Sequence, residues 1–125
     1  MKTPLYEAIW HEHPEAVKLL IDHGANINGN IRRDRSYLHD MIYNNRVGSV
    51  ELLLRHGVDL TGRIRTNKTM LHIAVYLNCL DIAKLLIDHG IDINATDAYG
   101  DTALYGAKFR GFEDMVELLR AHGAK

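Results

Sequence analysis

Eight histidines are the first candidates for chemistry in this 125-residue sequence, because imidazole serves as a metal ligand and as a general acid or base near neutral pH. Four of them directly precede a glycine, as in the last turn of a helix, where the helix dipole favours an imidazolium. His11 and His13 form an H-x-H pair with no third ligand at a useful spacing. We therefore predict no metal site and expect structural roles for the histidines before glycine: His23, His56, His89 and His122.

Other arrangements typical of catalysis are also missing from the sequence. It has no paired carboxylates, nucleophile elbow or glycine-rich phosphate loop, and its single cysteine, Cys79, stands in no motif. We expect no enzymatic activity and no cofactor. Fifteen basic and sixteen acidic residues give a net charge of −1, which by itself predicts neither a nucleic-acid nor a membrane partner. The lone cysteine and the lack of a signal sequence or long apolar run predict a soluble intracellular protein, cytoplasmic or nuclear.

The histidines before glycine belong to a segment that recurs along the chain. KLLIDHG occurs at Lys18–Gly24 and again at Lys84–Gly90. Related segments, ELLLRHG and ELLRAHG, occur at Glu51–Gly57 and Glu117–Gly123, so that the copies are 33 positions apart. A fixed period of this length indicates a repeat architecture, in which stacked units bury a core that one unit cannot bury alone.

Each unit has the pattern of two short helices followed by an extended turn. It opens with a hydroxyl residue, which is a good helix N-cap, and a leucine two positions later begins an apolar face. Four residues then break the apolar pattern, three of them helix formers of poor to middling quality, which predicts a turn before a second apolar helix. A left-handed glycine is expected to end that second helix. The caps are Thr3, Ser36, Thr69 and Thr102; the turn residues are Glu12, Asn45, Asn78 and Gly111; the glycines are Gly24, Gly57, Gly90 and Gly123.

These segments resemble the repeat of the ankyrin family. The TPLHxA signature of the family is similar to TPLYEA (3–8), SYLHDM (36–41), TMLHIA (69–74) and TALYGA (102–107). The resemblance covers residues 3–124, with departures at three of the four signature prolines and at Glu12, where the family usually has glycine. It implies that His39 and His72, in the signature, form local hydrogen bonds that brace neighbouring turns.

The resemblance also implies the fold class and its boundaries. We expect an all-α ankyrin-repeat solenoid of four stacked helix-turn-helix units joined by extended β-turn loops. The whole chain, 1–125, is then a single ankyrin-repeat domain with repeats at approximately 1–33, 34–66, 67–99 and 100–125. Lys108, Glu113 and Arg120 replace apolar residues of the earlier units, which predicts that the array ends with the last unit.

Four aromatic residues recur at the same period, two positions after the signature. Leu5, Ala8 and Ile9 define the buried stripe of the first helix. At about 100° per residue Trp10 lies about 150° from its centre, so the aromatic side chains should face outward. The resemblance implies that this position and the next line a concave groove that binds the partner. The residues are Trp10, Tyr43, Tyr76 and Phe109, followed by His11, Asn44, Leu77 and Arg110. The alternative is that the rings only pack against each other and the turns.

Basic residues cluster in the first two turns between units. They are Arg32, Arg33 and Arg35 in the first turn, and Arg63, Arg65 and Lys68 in the second. The third turn instead places Tyr99 between Asp97 and Asp101. One interpretation is a solvated charge cluster balanced by acidic helix faces. The other is a basic rim beside the aromatic groove, which would steer and pair an acidic surface.

These patterns favour a non-enzymatic binding module over other functions. We expect a monomer with no membrane partner, which binds a protein or peptide of acidic and apolar or aromatic character as an adaptor, scaffold or stoichiometric inhibitor. The alternative is nucleic-acid or nucleotide binding through the aromatic residues and arginines. The near-neutral charge and the acidic third turn argue against that alternative. A histidine metal site is a third class, which metal analysis of the purified protein tests.

Overall fold

The computed structural model describes residues 3–32 and 35–125, in which eight short α-helices follow one another as four pairs. The two helices of each pair pack against each other. Their bounds are α1 Pro4–Trp10, α2 Pro14–Asp22, α3 Tyr37–Tyr43, α4 Val47–Arg55, α5 Met70–Tyr76, α6 Leu80–Asp88, α7 Ala103–Arg110 and α8 Glu113–Ala121. The predicted helix-turn-helix unit is thus present, and the helical repeat fold is confirmed.

Hydroxyl caps begin the first helix of each pair, as the sequence predicts. Each cap side chain accepts a hydrogen bond from the backbone N–H three residues later, which satisfies one of the unpaired donors of the first turn. The cap–donor pairs are Thr3–Tyr6, Ser36–His39, Thr69–His72 and Thr102–Tyr105. His39 and His72 also accept from the cap's own backbone N–H through Nδ1, which completes a reciprocal capping box.

A residue with positive φ turns the chain between the helices of each pair. The φ angles are 56° at Glu12, 52° at Asn45, 55° at Asn78 and 72° at Gly111. Asparagine and glycine adopt this left-handed conformation readily, whereas glutamate rarely does. The departure at Glu12 therefore leaves the turn intact at the cost of local backbone strain. The carboxylate of Glu12 also occupies the space where a side chain on Gly48 would lie.

Two short antiparallel hairpins precede α3 and α5. Strand β1 (Asn30–Arg32) pairs with β2 (Arg35–Ser36), and β3 (Arg63–Ile64) pairs with β4 (Lys68–Thr69). The predicted extended loops therefore contain a few ladder hydrogen bonds, while helices form nearly all the regular structure of the described residues.

The chain forms two compact units, Met1–Asp59 and Leu60–Lys125. In the first, the fully buried side chains include Ile9, Met41 and Leu53, and the buried Ser49 hydroxyl donates to the Ile9 carbonyl at 2.7 Å. In the second, Leu71, Leu86 and Leu119 are among the side chains that form the core. The predicted single domain and its four repeat boundaries stay predictions.

Charged side chains at the last helix pair take the places of apolar ones. Lys108 and Arg120 are exposed, whereas the positions 33 residues before them, Val75 and Ile87, are buried and half-buried. Charged side chains at these positions suit a face in contact with water, and the end of the array at this helix pair stays a prediction.

Replacing Arg120 by leucine should promote self-association, because it restores an apolar side chain on the last face of α8. Sedimentation velocity over a range of concentrations measures the effect. Arg120→Gln removes the same charge without adding apolar surface and should sediment like the wild type. A leucine variant that sediments like Arg120→Gln at every concentration contradicts the interpretation of this face as the end of the array.

Candidate functional site

The four periodic aromatic side chains lie at or near the C-terminal ends of the first helices and differ in exposure. Trp10 is half-buried, Tyr43 is 39% exposed, Tyr76 57% and Phe109 76%. The helical geometry therefore turns the last three outward as expected. Trp10 differs because other side chains of the first unit cover it.

Arg46 and Tyr6 cover the indole of Trp10. The Arg46 guanidinium carbon lies 4.3 Å from the centre of the Trp10 ring, and the Tyr6 ring stacks on Trp10 with centroids 6.0 Å apart. Arg46 also donates a hydrogen bond to the Trp10 carbonyl and forms an ion pair with Glu12 at 3.8 Å. These contacts leave Trp10 the least accessible of the four periodic aromatic residues.

Tyr43 belongs to a polar network with a buried carboxylate at its centre. The Arg35 guanidinium lies 4.5 Å from the Tyr43 ring centre, and its Nε contacts Asp40 Oδ1 at 2.9 Å. The Tyr6 hydroxyl donates to Asp40 Oδ2 at 2.7 Å. Burial, together with this hydrogen bond, raises the pKa of Tyr6 to about 12, so the phenol remains a donor. Arg35 is thus engaged within the chain.

The second compact unit, Leu60–Lys125, contains an open cleft of about 300 Å³ beside α5 and α7. Tyr76, Tyr105 and Phe109 form its aromatic part, and Tyr105 stacks on Phe109 with ring centroids 6.2 Å apart. Arg110 lies over Tyr76, with its guanidinium carbon 4.6 Å from the ring centre. Because these rings are 52–76% exposed, the cleft offers apolar surface that the second unit leaves uncovered.

The polar end of the cleft is formed by the third turn and Lys68. Lys68 Nζ donates to Asp97 Oδ2 at 2.7 Å and lies 5.9 Å from the centre of the exposed Tyr99 ring. Burial alone would raise the pKa of Asp97, but hydrogen bonds from Lys68 and from the backbone N–H groups of Asp101 and Tyr99 lower it to about 2. Lys68 is therefore part of a structural ion pair.

The basic residues predicted for the rim differ in whether their side chains make hydrogen bonds or ion pairs with described residues. Arg63 donates to the carbonyls of Asn67 at 3.0 Å and Thr96 at 2.9 Å, so it braces the turns. The side chains of Arg32 and Arg65 are exposed, and neither guanidinium makes a hydrogen bond or ion pair with a described residue. Arg33 lies outside the described residues.

The positions that follow the periodic aromatic residues have different environments. His11 lies 3.4 Å from the Glu7 carboxylate, and Asn44 Nδ2 donates to the Asp40 carbonyl at 2.8 Å. Leu77 is 37% exposed. Arg110 makes one long hydrogen bond, from Nη1 to the Gly106 carbonyl at 3.3 Å. Of these four, Leu77 and Arg110 are the two that lie in the second unit with the aromatic cleft.

Five of the eight histidines make hydrogen bonds to the backbone through their rings: His23, His39, His72, His89 and His122. His72 Nε2 lies 2.9 Å from the Asp101 carbonyl, which ties α5 to the next turn as the resemblance implies. Burial lowers the pKa of both His39 and His72 and so favours the neutral imidazole. His23, His89 and His122 contact the carbonyl four residues earlier through Nδ1. In the part of the chain that the structure describes, no group of three histidine, cysteine or acidic side chains is arranged to hold a metal.

Sequence reasoning missed Arg46 and Tyr105. Tyr105 precedes Phe109 by four residues, and this spacing places both on one helix face, so the signal was present in the sequence. Arg46 gave no such signal, because the positions 33 residues away hold His13 and Cys79 and the contact with Trp10 is not repeated.

Comparison with protein-family models identifies the class to which this fold and surface belong. The model described as Ankyrin repeats (3 copies) matches residues 1–64 and 38–125. The chain belongs to the ankyrin-repeat family, whose members serve generally as protein–protein interaction modules. Comparison with curated proteins gives no significant match. None of the helices in residues 3–32 and 35–125 has the length and apolar character that a membrane span requires.

Proposed function

We propose that this chain is a non-enzymatic, cytoplasmic binding module whose partner is a protein or peptide of acidic and apolar or aromatic character. It would act as a monomer, as an adaptor, a scaffold or a stoichiometric inhibitor. The exposed aromatic cleft of the second unit carries the proposal. The family match supports a protein partner in general, and the surface chemistry supports this particular kind.

The exposure of the aromatic rings is what makes the cleft a good candidate for a binding surface. Large apolar side chains that remain exposed cost solvation free energy, and aromatic residues with arginine are the commonest anchors of protein interfaces. Tyr76, Phe109 and Arg110 have these side chains in adjacent positions. The rings are held by helices, so little conformational entropy would be lost when a partner binds.

The charge distribution favours an acidic protein surface over a nucleic acid. Arg32 and Arg65 remain exposed and unpaired within the described residues, so they are available for long-range attraction. Arg35 and Lys68 are already neutralised by Asp40 and Asp97. A polyanion that needs many phosphate contacts would therefore find few free cations at the predicted basic rim, and the nucleic-acid alternative gains no support there.

Replacing Tyr76 or Phe109 by alanine should weaken partner binding by about 2 kcal/mol or more, mainly through faster dissociation, because each change removes an aromatic anchor. Partners are first captured from native lysate, and binding kinetics are then measured with the purified partner. Leu19→Ala is the matched control, since Leu19 is 59% exposed on α2 in the other unit. A partner that binds the cleft variants and the wild type equally contradicts the proposed surface.

Reversing the charge of Arg32 and Arg65 should have a different effect from removal of the rings. We expect slower association and a flatter salt dependence of the association rate, with little change in dissociation, because exposed charges act mainly at long range. The same kinetic experiment measures this in the variant with Arg32→Glu and Arg65→Glu. An unchanged association rate at low salt would show that these two arginines play no part in attracting the partner.

A further inference from the structure

Among the described residues, four cations lie over aromatic rings. The pairs are Arg46 over Trp10, Arg35 over Tyr43, Lys68 over Tyr99 and Arg110 over Tyr76. A ring face attracts a cation and fixes the orientation of a guanidinium, while the N–H groups at the edge of the guanidinium remain able to donate hydrogen bonds. Such a pair is therefore prepared for an anion.

In three of these pairs, the chain itself supplies the anion. Arg35 contacts Asp40 at 2.9 Å, Arg46 contacts Glu12 at 3.8 Å and Lys68 contacts Asp97 at 2.7 Å. Ring, cation and carboxylate thus form a recurring group of three. The three carboxylates, Glu12, Asp40 and Asp97, occupy different positions within the 33-residue repeat, so the repeat period alone does not explain why the group recurs.

Arg110 is the exception, because no carboxylate of the described residues pairs with it. Within the described residues, the single polar contact of its guanidinium is the 3.3 Å hydrogen bond from Nη1 to the Gly106 carbonyl, and the side chain is exposed at the cleft. The exposed Tyr105–Phe109 stack lines the same cleft.

We propose that the partner supplies the missing carboxylate. An aspartate or glutamate side chain of the partner pairs with the Arg110 guanidinium over Tyr76, and a neighbouring apolar side chain packs on the Tyr105–Phe109 stack. This inference rests on the proposed function and specifies its chemistry: one carboxylate beside one apolar or aromatic side chain, in a protein or peptide.

The neighbours of Arg110 favour a carboxylate over a phosphate. Asp97 and Asp101 line the same cleft, and the one other cation there, Lys68, is already paired with Asp97. A phosphate dianion would meet one unpaired cation beside acidic groups, whereas a carboxylate needs a single cation and matches the planar edge of the guanidinium. Since stacking on Tyr76 already orders the arginine, little further entropy is lost when the pair forms.

Titration of the ¹⁵N-labelled full chain with two short peptides tests the proposal. The probes are acetyl-Glu-Phe-amide and acetyl-Gln-Phe-amide, which differ only in the carboxylate. The glutamate peptide should shift the Arg110 Nε–H resonance and the resonances of Tyr105 and Phe109. It should bind about tenfold more tightly than the glutamine peptide, because a hydrogen-bonded ion pair replaces a neutral contact.

Variants separate the specific pair from general attraction. Arg110→Gln should bind both peptides equally weakly, and Arg110→Lys should keep a small part of the preference, because lysine is a point charge without the planar fork. Arg120→Gln removes one positive charge from the same unit and should keep the full preference. Thermal melts of all variants confirm that each one is folded.

The remaining outcomes decide against the inference. Equal binding of the two peptides to the wild type, or no shift at the cleft with either peptide, overturns it. A larger shift with the trinucleotide dTdTdT than with the glutamate peptide also overturns it, in favour of nucleic-acid binding. A partner from lysate that requires Phe109 but binds Arg110→Gln normally leaves the proposed function in place and removes this inference alone. If the glutamate peptide binds as expected while no partner depends on the cleft, the proposed function fails instead.

Discussion

Leu53→Ala should lower the free energy of unfolding by about 2–5 kcal/mol, because it opens a cavity in a core that cannot close completely around it. The Leu53 side chain on α4 is fully buried in the first unit. Chemical denaturation followed by circular dichroism measures the change. The loss is large relative to the total stability of a domain of this size, so the variant should also melt at a clearly lower temperature.

Leu19→Ala is the matched control for this prediction. It is the same substitution on the second helix of a pair in the same unit, but Leu19 is 59% exposed. We expect a change within about 0.5 kcal/mol, as for other exposed sites. Equal losses in the two leucine variants would contradict the assignment of Leu53 to the core.

The stability of variants at the exposed tyrosines can be compared with that of Leu53→Ala. Tyr76→Ala should cost much less stability than Leu53→Ala, because its ring is 57% exposed. Tyr43→Ala should cost more than Tyr76→Ala, since Tyr43 also contacts Arg35 in the network around Asp40. If both tyrosine variants melt as early as Leu53→Ala and yet bind the partner normally when folded, the rings are packing residues and the proposed surface is wrong.

Asp97→Asn should lower the free energy of unfolding at pH 7 by about 2 kcal/mol. The pKa of Asp97 is about 2 in the folded chain against 3.8 for an unperturbed aspartate, and this difference is a stability contribution of the ionised form. The asparagine keeps an oxygen for the backbone N–H groups of Tyr99 and Asp101 but loses the ion pair with Lys68.

The same variant has a defined pH dependence. Because the folded pKa is depressed, the contribution of Asp97 is complete above about pH 5 and is lost as the pH falls through 4 towards 2. The difference between wild type and Asp97→Asn should therefore shrink to about half at pH 3. Denaturant unfolding at pH 7, 4 and 3 measures it. Asp92→Asn is the control for the substitution itself, since Asp92 accepts a similar backbone hydrogen bond in an exposed turn, and it should cost much less stability at pH 7 than Asp97→Asn. A constant difference at all three pH values would contradict the role of the ion pair.

The repeated features of the fold could be predicted from the sequence because they depend on local chemistry. Hydroxyl caps, turns between paired helices and terminal glycines depend on residues within a few positions of the chain, and the structure has each of them where the 33-residue period places them. The left-handed conformation of the turn residues was not predicted. The short β-hairpins were less visible, because two-residue strands carry too few side chains to form a pattern.

The side-chain orientations and contacts of the candidate site could be predicted only in part. The outward direction of Tyr76 and Phe109 follows from helical geometry alone. The contact of Arg46 with the Trp10 ring could not be predicted in this way. No other repeat has an arginine at the position of Arg46, and the contact spans 36 positions of the chain. The basic rim was predicted from charge clustering, which cannot distinguish a paired cation such as Lys68 from an unpaired one such as Arg65. The partner-binding roles of all these residues stay predictions.

The hydrogen bonds that tie successive helix pairs together have a consequence for synthesis of the protein. Each joins a helix pair to the next segment of the chain: Ser49 lies 40 positions from its acceptor Ile9, and His72 lies 29 positions from its partner Asp101. During translation, the residues that form hydrogen bonds with a given helix pair are therefore synthesised soon after that pair. Each unit can therefore fold while the next is being made, which shortens the time that its apolar side chains are exposed to chaperones and proteases.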